Sequence, residues 1–168
     1  VSDHAAFSWA NFPSPKEANT QSHAGDLLPL IFNRSSLLAL TNNIDRVQQH
    51  LGRQLLIENL SSYINLPGSV MQEFEFLQEA CEKTGAGLLL DLNNIYVNTY
   101  NNESSYPLTD VIETLQSVSA QHVGEIHLAG AKQPIGDDLM VDDHSTHVHD
   151  TVWQAFSHIA KRFDPIPT

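Results

Sequence analysis

Ionisable side chains directly follow short aliphatic runs at three places along this chain. They are Glu58, Asp91 and His127, each preceded by leucine or isoleucine. A charged group beside a buried aliphatic run is costly unless it is paired or bound to a metal ion. Carboxylates mixed with an imidazole suit iron, manganese or zinc better than calcium or magnesium. The pattern therefore predicts a transition-metal site, provided that the fold brings the three residues together.

Candidate ligands also lie around Asp91 and at the start of the chain. His4 ends the opening segment, which could be the tail of a strand. If Asp91 lies on a strand and points into the site, Asn93 does so too, because side chains alternate along a strand. Asn94 lies just beyond it. Asn93 or Asn94 would then offer a carbonyl oxygen to the metal.

The densest polar cluster of the chain is the segment 141–150. Within it, Asp142 and His144 are two residues apart. On an extended backbone they would share one face and could hold an ion together. We therefore add this pair to the candidate ligands and assign no catalytic residue.

Each candidate also has an ordinary explanation. Glu58 could pair with an arginine in the core, Asp91 could cap a turn, and His127 could be a buried neutral histidine. The cluster 141–150 could be a solvated loop. We interpret the other histidines and the cysteine as ordinary: His147 and His149 at the surface or beside the ligands, His23, His50, His122 and His158 on loops or helices, and Cys81 in the core.

Strand and helix patterns alternate along the chain. The predicted strands are 54–59, 88–93 and 123–128. The predicted helices are 37–51, which ends before Gly52; one through 74–81, which a capping box of Ser69 with Gln72 begins; 107–118; and one that Asp150 caps. Near-continuous aliphatic strands alternating with amphipathic helices indicate a parallel sheet covered on both faces, in a barrel or a doubly wound sheet. In either, the carboxyl ends of the strands form the active-site face.

Composition limits the partners. The chain has 168 residues, typical of a single domain over 1–168, and a formal net charge of -12, which disfavours nucleic acids and anionic membranes. It has no apolar run of the roughly 20 residues that a membrane span needs. One cysteine is consistent with a reducing cytoplasm. Because the chain begins at Val1 without a signal peptide or Met, we expect it to be part of a longer protein.

Several motifs that contain the candidate residues occur in the same order in a known family. They are Ser2-Asp3-His4 with Phe7, Leu56-Ile57-Glu58-Asn59 with Ser61-Ser62-Tyr63, Leu89-Leu90-Asp91-Leu92-Asn93-Asn94-Ile95-Tyr96-Val97, Gly124-Glu125-Ile126-His127-Leu128-Ala129-Gly130, and Asp142-Asp143-His144 before Val152-Trp153. With these motifs, which span nearly the whole chain, the sequence resembles the multinuclear non-haem iron-dependent oxidative enzymes. Their best known member makes methanobactin.

The resemblance implies a xylose-isomerase-like (β/α)₈ TIM barrel with two or three irons at its mouth. The implied ligands are His4, Glu58, Asp91, Asn93 or Asn94, His127, Asp142 and His144. It also implies that the enzyme uses dioxygen to modify cysteines of a ribosomally made peptide, often with a small partner protein that delivers the peptide.

Compared with that family, the chain lacks the N-terminal strands and the last strand. We therefore expect a partial barrel of about five strands out of eight, with exposed edges that favour pairing into a homodimer.

Two other functions fit the same residues. One is a zinc-, manganese- or magnesium-dependent hydrolase or sugar isomerase on the same barrel type. The other is an inactive fragment or scaffold. A sugar isomerase usually has a lysine near its metals, and none of Lys16, Lys83, Lys132 and Lys161 follows a predicted strand. A phosphodiester hydrolase should show basic residues around the mouth, and these are scarce.

Overall fold

The computed structural model describes residues 1–12, 20–134, 139–163 and 165–168. It is an α/β structure whose elements are, in chain order, β1 (Ser2–His4), β2 (Ala6–Phe12), β3 (Thr20–Pro29), α1 (Arg34–Leu51), β4 (Leu56–Glu58), α2 (Glu73–Thr84), β5 (Gly87–Asp91), α3 (Leu92–Asn101), α4 (Pro107–Gln116), a 3₁₀ turn (Ala120–His122), β6 (Val123–His127) and α5 (Asp150–Ile159).

Four of the strands form a parallel sheet in the order β1-β4-β5-β6. The predicted parallel sheet is therefore confirmed, and the opening segment that ends at His4 is indeed a strand. All five residues of β5 are buried, as its run of leucines predicts. The outer strands β1 and β6 are partly exposed. The costliest charge to bury therefore lies at the end of the central strand β5, where Asp91 is located.

The strands β2 and β3 form an antiparallel hairpin that the sequence patterns did not predict. Residues 22–27 of β3 are exposed. An exposed stretch of strand has no reason to alternate apolar and polar residues, so the pattern that identifies other strands is missing from this part of β3.

The hydrophobic core forms where the helices pack on the sheet and on one another. α1 begins at Arg34, because the side chain of Asn33 accepts a hydrogen bond from the Ser36 N–H at 3.0 Å, and ends at Gly52 in the left-handed conformation. No helix among the described residues combines the length and the apolar character that crossing a membrane requires.

The start of α2 differs from the prediction. Its capping box is formed by Gln72 with Glu75 rather than by Ser69 with Gln72. Ser69 is occupied elsewhere, since its hydroxyl accepts a hydrogen bond from the Phe32 N–H at 3.0 Å. α2 therefore starts three residues later than the capping box of Ser69 with Gln72 implied. A second difference is at α4, which ends at Gln116, two residues earlier than predicted.

The strand predicted over 88–93 ends at Asp91, and α3 follows at once. The carboxylate of Asp91 accepts a hydrogen bond from the Asn94 N–H at 2.7 Å and so acts as the N-cap of α3. The expectation that Asn93 alternates with Leu92 on a strand was therefore wrong, because both residues lie in the first turn of a helix.

A β-bulge sets the register of β6 against β5. Val123 pairs with Leu88, but Glu125 pairs with Leu89, so Gly124 is one residue in excess on β6. Beyond the bulge the pairing is regular and brings His127 opposite Asp91. The extra residue thus decides which side chains of β6 share a face with Asp91.

Glu73 gives the stability of the fold a pH dependence. Burial raises its pKa to about 7, against the effect of the Leu60 N–H, which donates a hydrogen bond to the carboxylate at 3.2 Å. Because the folded state holds the proton more tightly than the unfolded state, stability falls as pH rises from about 4.5 to about 7. Glu73→Gln keeps an acceptor for Leu60 and carries no charge.

We expect Glu73→Gln to raise the free energy of unfolding by about 1–2 kcal/mol at pH 8 and to leave it unchanged at pH 4.5. Urea denaturation at the two pH values measures this difference. A gain of the same size at both pH values would contradict the account, because it would not come from the charge.

Candidate metal centre

Parallel pairing brings together the ends of four strands, each with its ionisable residue. His4 pairs with Glu58 across β1 and β4, and Asp91 pairs with His127 across β5 and β6. One ligand atom from each of Glu58, Asp91 and His127 lies within 4.8 Å of the others. Nδ1 of His127 is 3.3 Å from Oε1 of Glu58 and 3.9 Å from Oδ2 of Asp91. The predicted convergence at the carboxyl ends of the strands is confirmed for these three.

Glu58 lies between two imidazoles. Its Oε2 is 3.4 Å from Nε2 of His4, while its Oε1 faces His127. The side chain of Glu58 is 8 % exposed, and those of His4 and His127 are 36 % and 43 % exposed. A carboxylate with each oxygen directed at a different imidazole has the arrangement that lets it bridge two ions.

The two carboxylate oxygens of Asp91 have different roles: one stabilises the start of α3, and the other faces the candidate metal centre. Oδ1 caps α3, and Oδ2 faces His127. The side chain of Asn59 holds the Asp91 backbone, accepting from its N–H and donating to its C=O, both at 2.9 Å. Burial is the main cause that raises the pKa of Asp91 to about 6; the Asn94 N–H opposes it, and the charges of Glu58 and Asp142 add to it. The same repulsion would favour a cation at this position.

Lysine and arginine do not neutralise these carboxylates among the described residues. The ion-pair contacts of Glu58 and Asp91 there are to histidines alone. The core pairing of Glu58 with an arginine, which the sequence left open, is thus not found in the described part of the chain. Two buried carboxylates with imidazoles and without a fixed cation form a donor set that fits a bound transition-metal ion.

Two asparagines in the first turn of α3, Asn93 and Asn94, add buried oxygens. Asn93 donates a hydrogen bond through Nδ2 to Oδ1 of Asp142 at 2.6 Å, and Asn94 donates to the Asn59 C=O at 2.9 Å. Oδ1 of each side chain is buried and has no hydrogen-bond partner within the described ranges. A buried carbonyl oxygen without a partner is costly, and an ion would satisfy it. The geometry leaves both asparagines open as ligands.

Asp142 and His144 lie together, as their spacing predicted, but the backbone between them is not extended. Oδ1 of Asp142 is 3.2 Å from Nε2 of His144. His144 has a φ of 53°, in the left-handed region, so a turn and not strand alternation produces the pair. Asp142 is 17 % exposed in its side chain and His144 62 %. The pair is next to the three-residue group, because Asn93, two residues after Asp91, donates a hydrogen bond to Asp142.

Long-range hydrogen bonds hold the segment that carries this pair. Asn101 binds the Met140 backbone on both sides, donating to its C=O at 2.9 Å and accepting from its N–H at 2.8 Å. The Tyr63 hydroxyl accepts from the Asp142 N–H at 2.9 Å. The sequence patterns predicted no role for Asn59 or Asn101, because an asparagine that binds a distant backbone leaves no local signal. Asn59 and Tyr63 at least belonged to a recognised motif.

Of the histidines predicted on loops or helices, His50 and His158 lie on helices and His122 lies in the 3₁₀ turn, but His23 lies on strand β3, so that prediction was wrong for His23. His149 has a role that was not predicted, because it rather than Asp150 caps α5, and its ring stacks on that of Tyr96 with centroids 4.7 Å apart. His122 contacts Glu82 at the surface, with Nε2 and Oε1 3.7 Å apart. Burial raises the pKa of the Cys81 thiol to about 12, so it stays protonated and belongs to the core.

A cavity of about 1240 Å³ is lined by residues of the loop 60–66 and of α2, α3 and α4. Tyr63 is part of its wall and binds the Asp142 backbone with the same side chain. Glu58, Asp91 and His127 do not line it. It is thus a neighbour of the candidate metal centre, connected to it through Tyr63.

Gly130 allows the segment 139–149 to pass close to the end of β6. A Cβ at this position would lie 2.2 Å from the carbonyl oxygen of His147 and 2.4 Å from that of Thr146. Gly130→Ala must therefore displace backbone, and we expect it to lower the free energy of unfolding by about 1–3 kcal/mol. Urea denaturation measures the loss.

Gly124→Ala is the matched control for this substitution. Its Cβ would meet Cδ2 of Leu56 at 2.8 Å, the end of a side chain that can rotate, so the cost should be smaller. Equal losses for the two variants would contradict the assignment of a backbone contact at Gly130.

Comparison with known proteins shows which family the sequence belongs to. A family model described as "RiPP precursor modification enzyme MbnB/TglH/ChrH" matches residues 1–168. RiPPs are peptides that are made on the ribosome and then modified.

Relatives named "UPF0276 protein" are similar along most or all of the chain. The relative from Chromobacterium violaceum is 39 % identical over 168 residues, which is 100 % of this chain and 55 % of that protein. The one from Psychromonas ingrahamii is 40 % identical over 93 % of this chain and 51 % of its own length. The one from Caulobacter vibrioides is 37 % identical over 100 % of this chain and 55 % of its own length.

The chain spans about half the length of the curated relatives it matches. Because the family model covers every residue, the chain belongs to the MbnB/TglH/ChrH family of RiPP precursor modification enzymes.

Proposed function

We propose that this chain is the part of a xylose-isomerase-like (β/α)₈ barrel that binds two or three irons, and that the enzyme oxidatively modifies cysteines of a ribosomally made precursor peptide. The observation that carries the proposal is the position of Glu58, buried between His4 and His127 with one oxygen toward each imidazole. Membership of a family of precursor-modifying enzymes supports a peptide as the substrate.

The barrel is supported by the order of the sheet and by its continuation beyond β6. Four parallel strands with intervening helices are the repeating unit of such a barrel. The Ile126 N–H donates a hydrogen bond to the Pro167 carbonyl at 2.9 Å, so the segment after α5 lies beside β6. That is where a (β/α) barrel places its next strand.

The proposed ligands of the cluster are His4, Glu58, Asp91, Asn93, His127, Asp142 and His144, with Asn94 as the alternative to Asn93. They divide into two neighbouring groups. Glu58, Asp91 and His127 would hold one ion, with His4 across the Glu58 bridge. Asp142 and His144, joined to Asn93 by the hydrogen bond to Asp142, would hold another.

The protein's own residues prepare this site for cations and for a thiol. Glu58, Asp91 and Asp142 supply negative charge that several adjacent cations need, and burial of the first two keeps that charge poorly screened. The exposed side of His127 and His144 leaves room for substrate at the mouth. When bound, iron supplies the redox chemistry with dioxygen and favours the thiolate of a substrate cysteine. Iron is preferred here over zinc because modification of a thiol by dioxygen needs a redox-active ion, and over manganese because the family resemblance implies iron.

We expect Glu58→Ala and His127→Ala to lower the iron bound per full-length protein to less than half, because each removes a donor that neighbouring residues cannot replace. Elemental analysis after anaerobic loading measures this. Glu82→Ala is the matched control, since it removes a surface carboxylate that also contacts a histidine. Unchanged iron in both site variants would reject the assignment, and zinc without iron in the native protein would favour a hydrolase.

The substrate is tested in the same proteins. Incubated with a cysteine-bearing precursor peptide and dioxygen, the iron-loaded protein should change the peptide mass, and a Cys→Ser peptide should stay unmodified. A small partner protein that delivers the peptide is part of the proposal, and its addition should increase the rate. A mass change in the absence of dioxygen would contradict oxidative chemistry.

A second copy of the chain is the other proposed partner. The outer edge of β1 has no paired strand among the described residues, and Ser2 and Asp3 are exposed. Such an edge favours pairing with another chain. We expect the 168-residue chain to have about twice its 18.6 kDa mass by light scattering, whereas a monomer would contradict edge pairing.

A further inference from the structure

Glu125 shares a face of β6 with His127, because the two residues are separated by one position on a strand. Its Oε1 is 3.6 Å from Nε2 of His127, while Nδ1 of the same ring faces Glu58 and Asp91. The imidazole therefore has a carboxylate near each of its nitrogens, and Glu125 is outside the proposed ligands.

We propose that Glu125 is a positioning residue for His127: its carboxylate accepts a hydrogen bond from Nε2–H and so keeps Nδ1 directed at the metal ion. The inference rests on the proposed function, since it concerns an imidazole that binds metal. It assigns Glu125 no contact with the ion or the substrate.

The argument follows from the two nitrogens of a neutral imidazole. One carries hydrogen and donates; the other has the lone pair that binds a metal. A carboxylate beside Nε2 stabilises the form with hydrogen on Nε2, which leaves the lone pair on Nδ1, where Glu58 and Asp91 converge. Carboxylates in this relation to a ligating histidine fix its ring and raise its basicity.

The local geometry allows the contact to close. At 3.6 Å the two atoms are farther apart than in a hydrogen bond. The Glu125 side chain is 39 % exposed, and its ion-pair contact among the described residues is to His127 alone. Rotation of this side chain can therefore shorten the distance without breaking another ion pair.

The β-bulge at Gly124 supports the same assignment. The excess residue shifts the pairing so that Glu125 lies opposite Leu89 and His127 opposite Asp91. Without the shift, Ile126 rather than His127 would lie opposite Asp91. A bulge beside a site commonly re-aims a side chain, and here it places both partners of the proposed pair on the site's face.

The test measures Co²⁺ affinity by visible absorption in metal-free, full-length protein. We expect Glu125→Gln to weaken Co²⁺ binding by about 10- to 100-fold, and Glu125→Asp to keep part of the affinity that Glu125→Gln loses. Glu82→Gln is the control, because Glu82 contacts His122 at the surface over 3.7 Å, and it should leave Co²⁺ affinity unchanged. In a His127→Ala background, Glu125→Gln should have no further effect, because its role requires the ring.

The outcomes separate this inference from the proposed function. Wild-type protein that binds no Co²⁺ would overturn both. Wild-type binding with unchanged affinity in Glu125→Gln would overturn the positioning role alone. A loss that persists in the His127→Ala background, together with a lower melting temperature of the metal-free protein, would show that Glu125 acts on the fold, and would also overturn it.

Discussion

The burial of two carboxylates at adjacent strand ends is the constraint on which the rest of this structure depends. Glu58 and Asp91 are 6 % and 2 % exposed, and among the described residues their ion-pair contacts are to imidazoles alone. Removing such charges from water costs several kcal/mol each unless a counter-charge compensates. A cation bound between these carboxylates would give that compensation.

Helix α3 holds several parts of the site in place around these carboxylates. Asp91 caps the helix with one oxygen and faces His127 with the other, so the same carboxylate ends the strand, starts the helix and points into the site. Asn93 reaches Asp142, and Asn101 at the far end of α3 clamps Met140. A single helix thus sets the position of the segment 139–149 relative to the sheet. This is why the Asp142–His144 pair lies near the carboxylates despite a sequence separation of about fifty residues.

The hydrogen bonds made by asparagine give this arrangement its rigidity. Asn59 and Asn101 each bind both the N–H and the C=O of one distant residue, as a neighbouring strand would. The amide side chain has an NH₂ group that donates and a carbonyl oxygen that accepts, side by side, so it can bind both groups of one backbone residue. Loops that lack a strand partner are in this way fixed without regular secondary structure, and site residues on them keep their positions.

The sequence by itself determined the parallel α/β class, the three ionisable strand ends and the family resemblance, because aliphatic periodicity and local motifs are properties of neighbouring residues. It did not determine the hairpin β2–β3, whose strand β3 is exposed over residues 22–27. Nor did it determine the start of α3 at Leu92, where the Asp91 cap outweighed the strand pattern. Only the tertiary structure decided that Glu58 faces two imidazoles, that Asn59 and Asn101 clamp remote backbone, and that a bulge brings His127 opposite Asp91. These depend on register and contacts across the sheet, and those are fixed by packing between residues far apart in the chain.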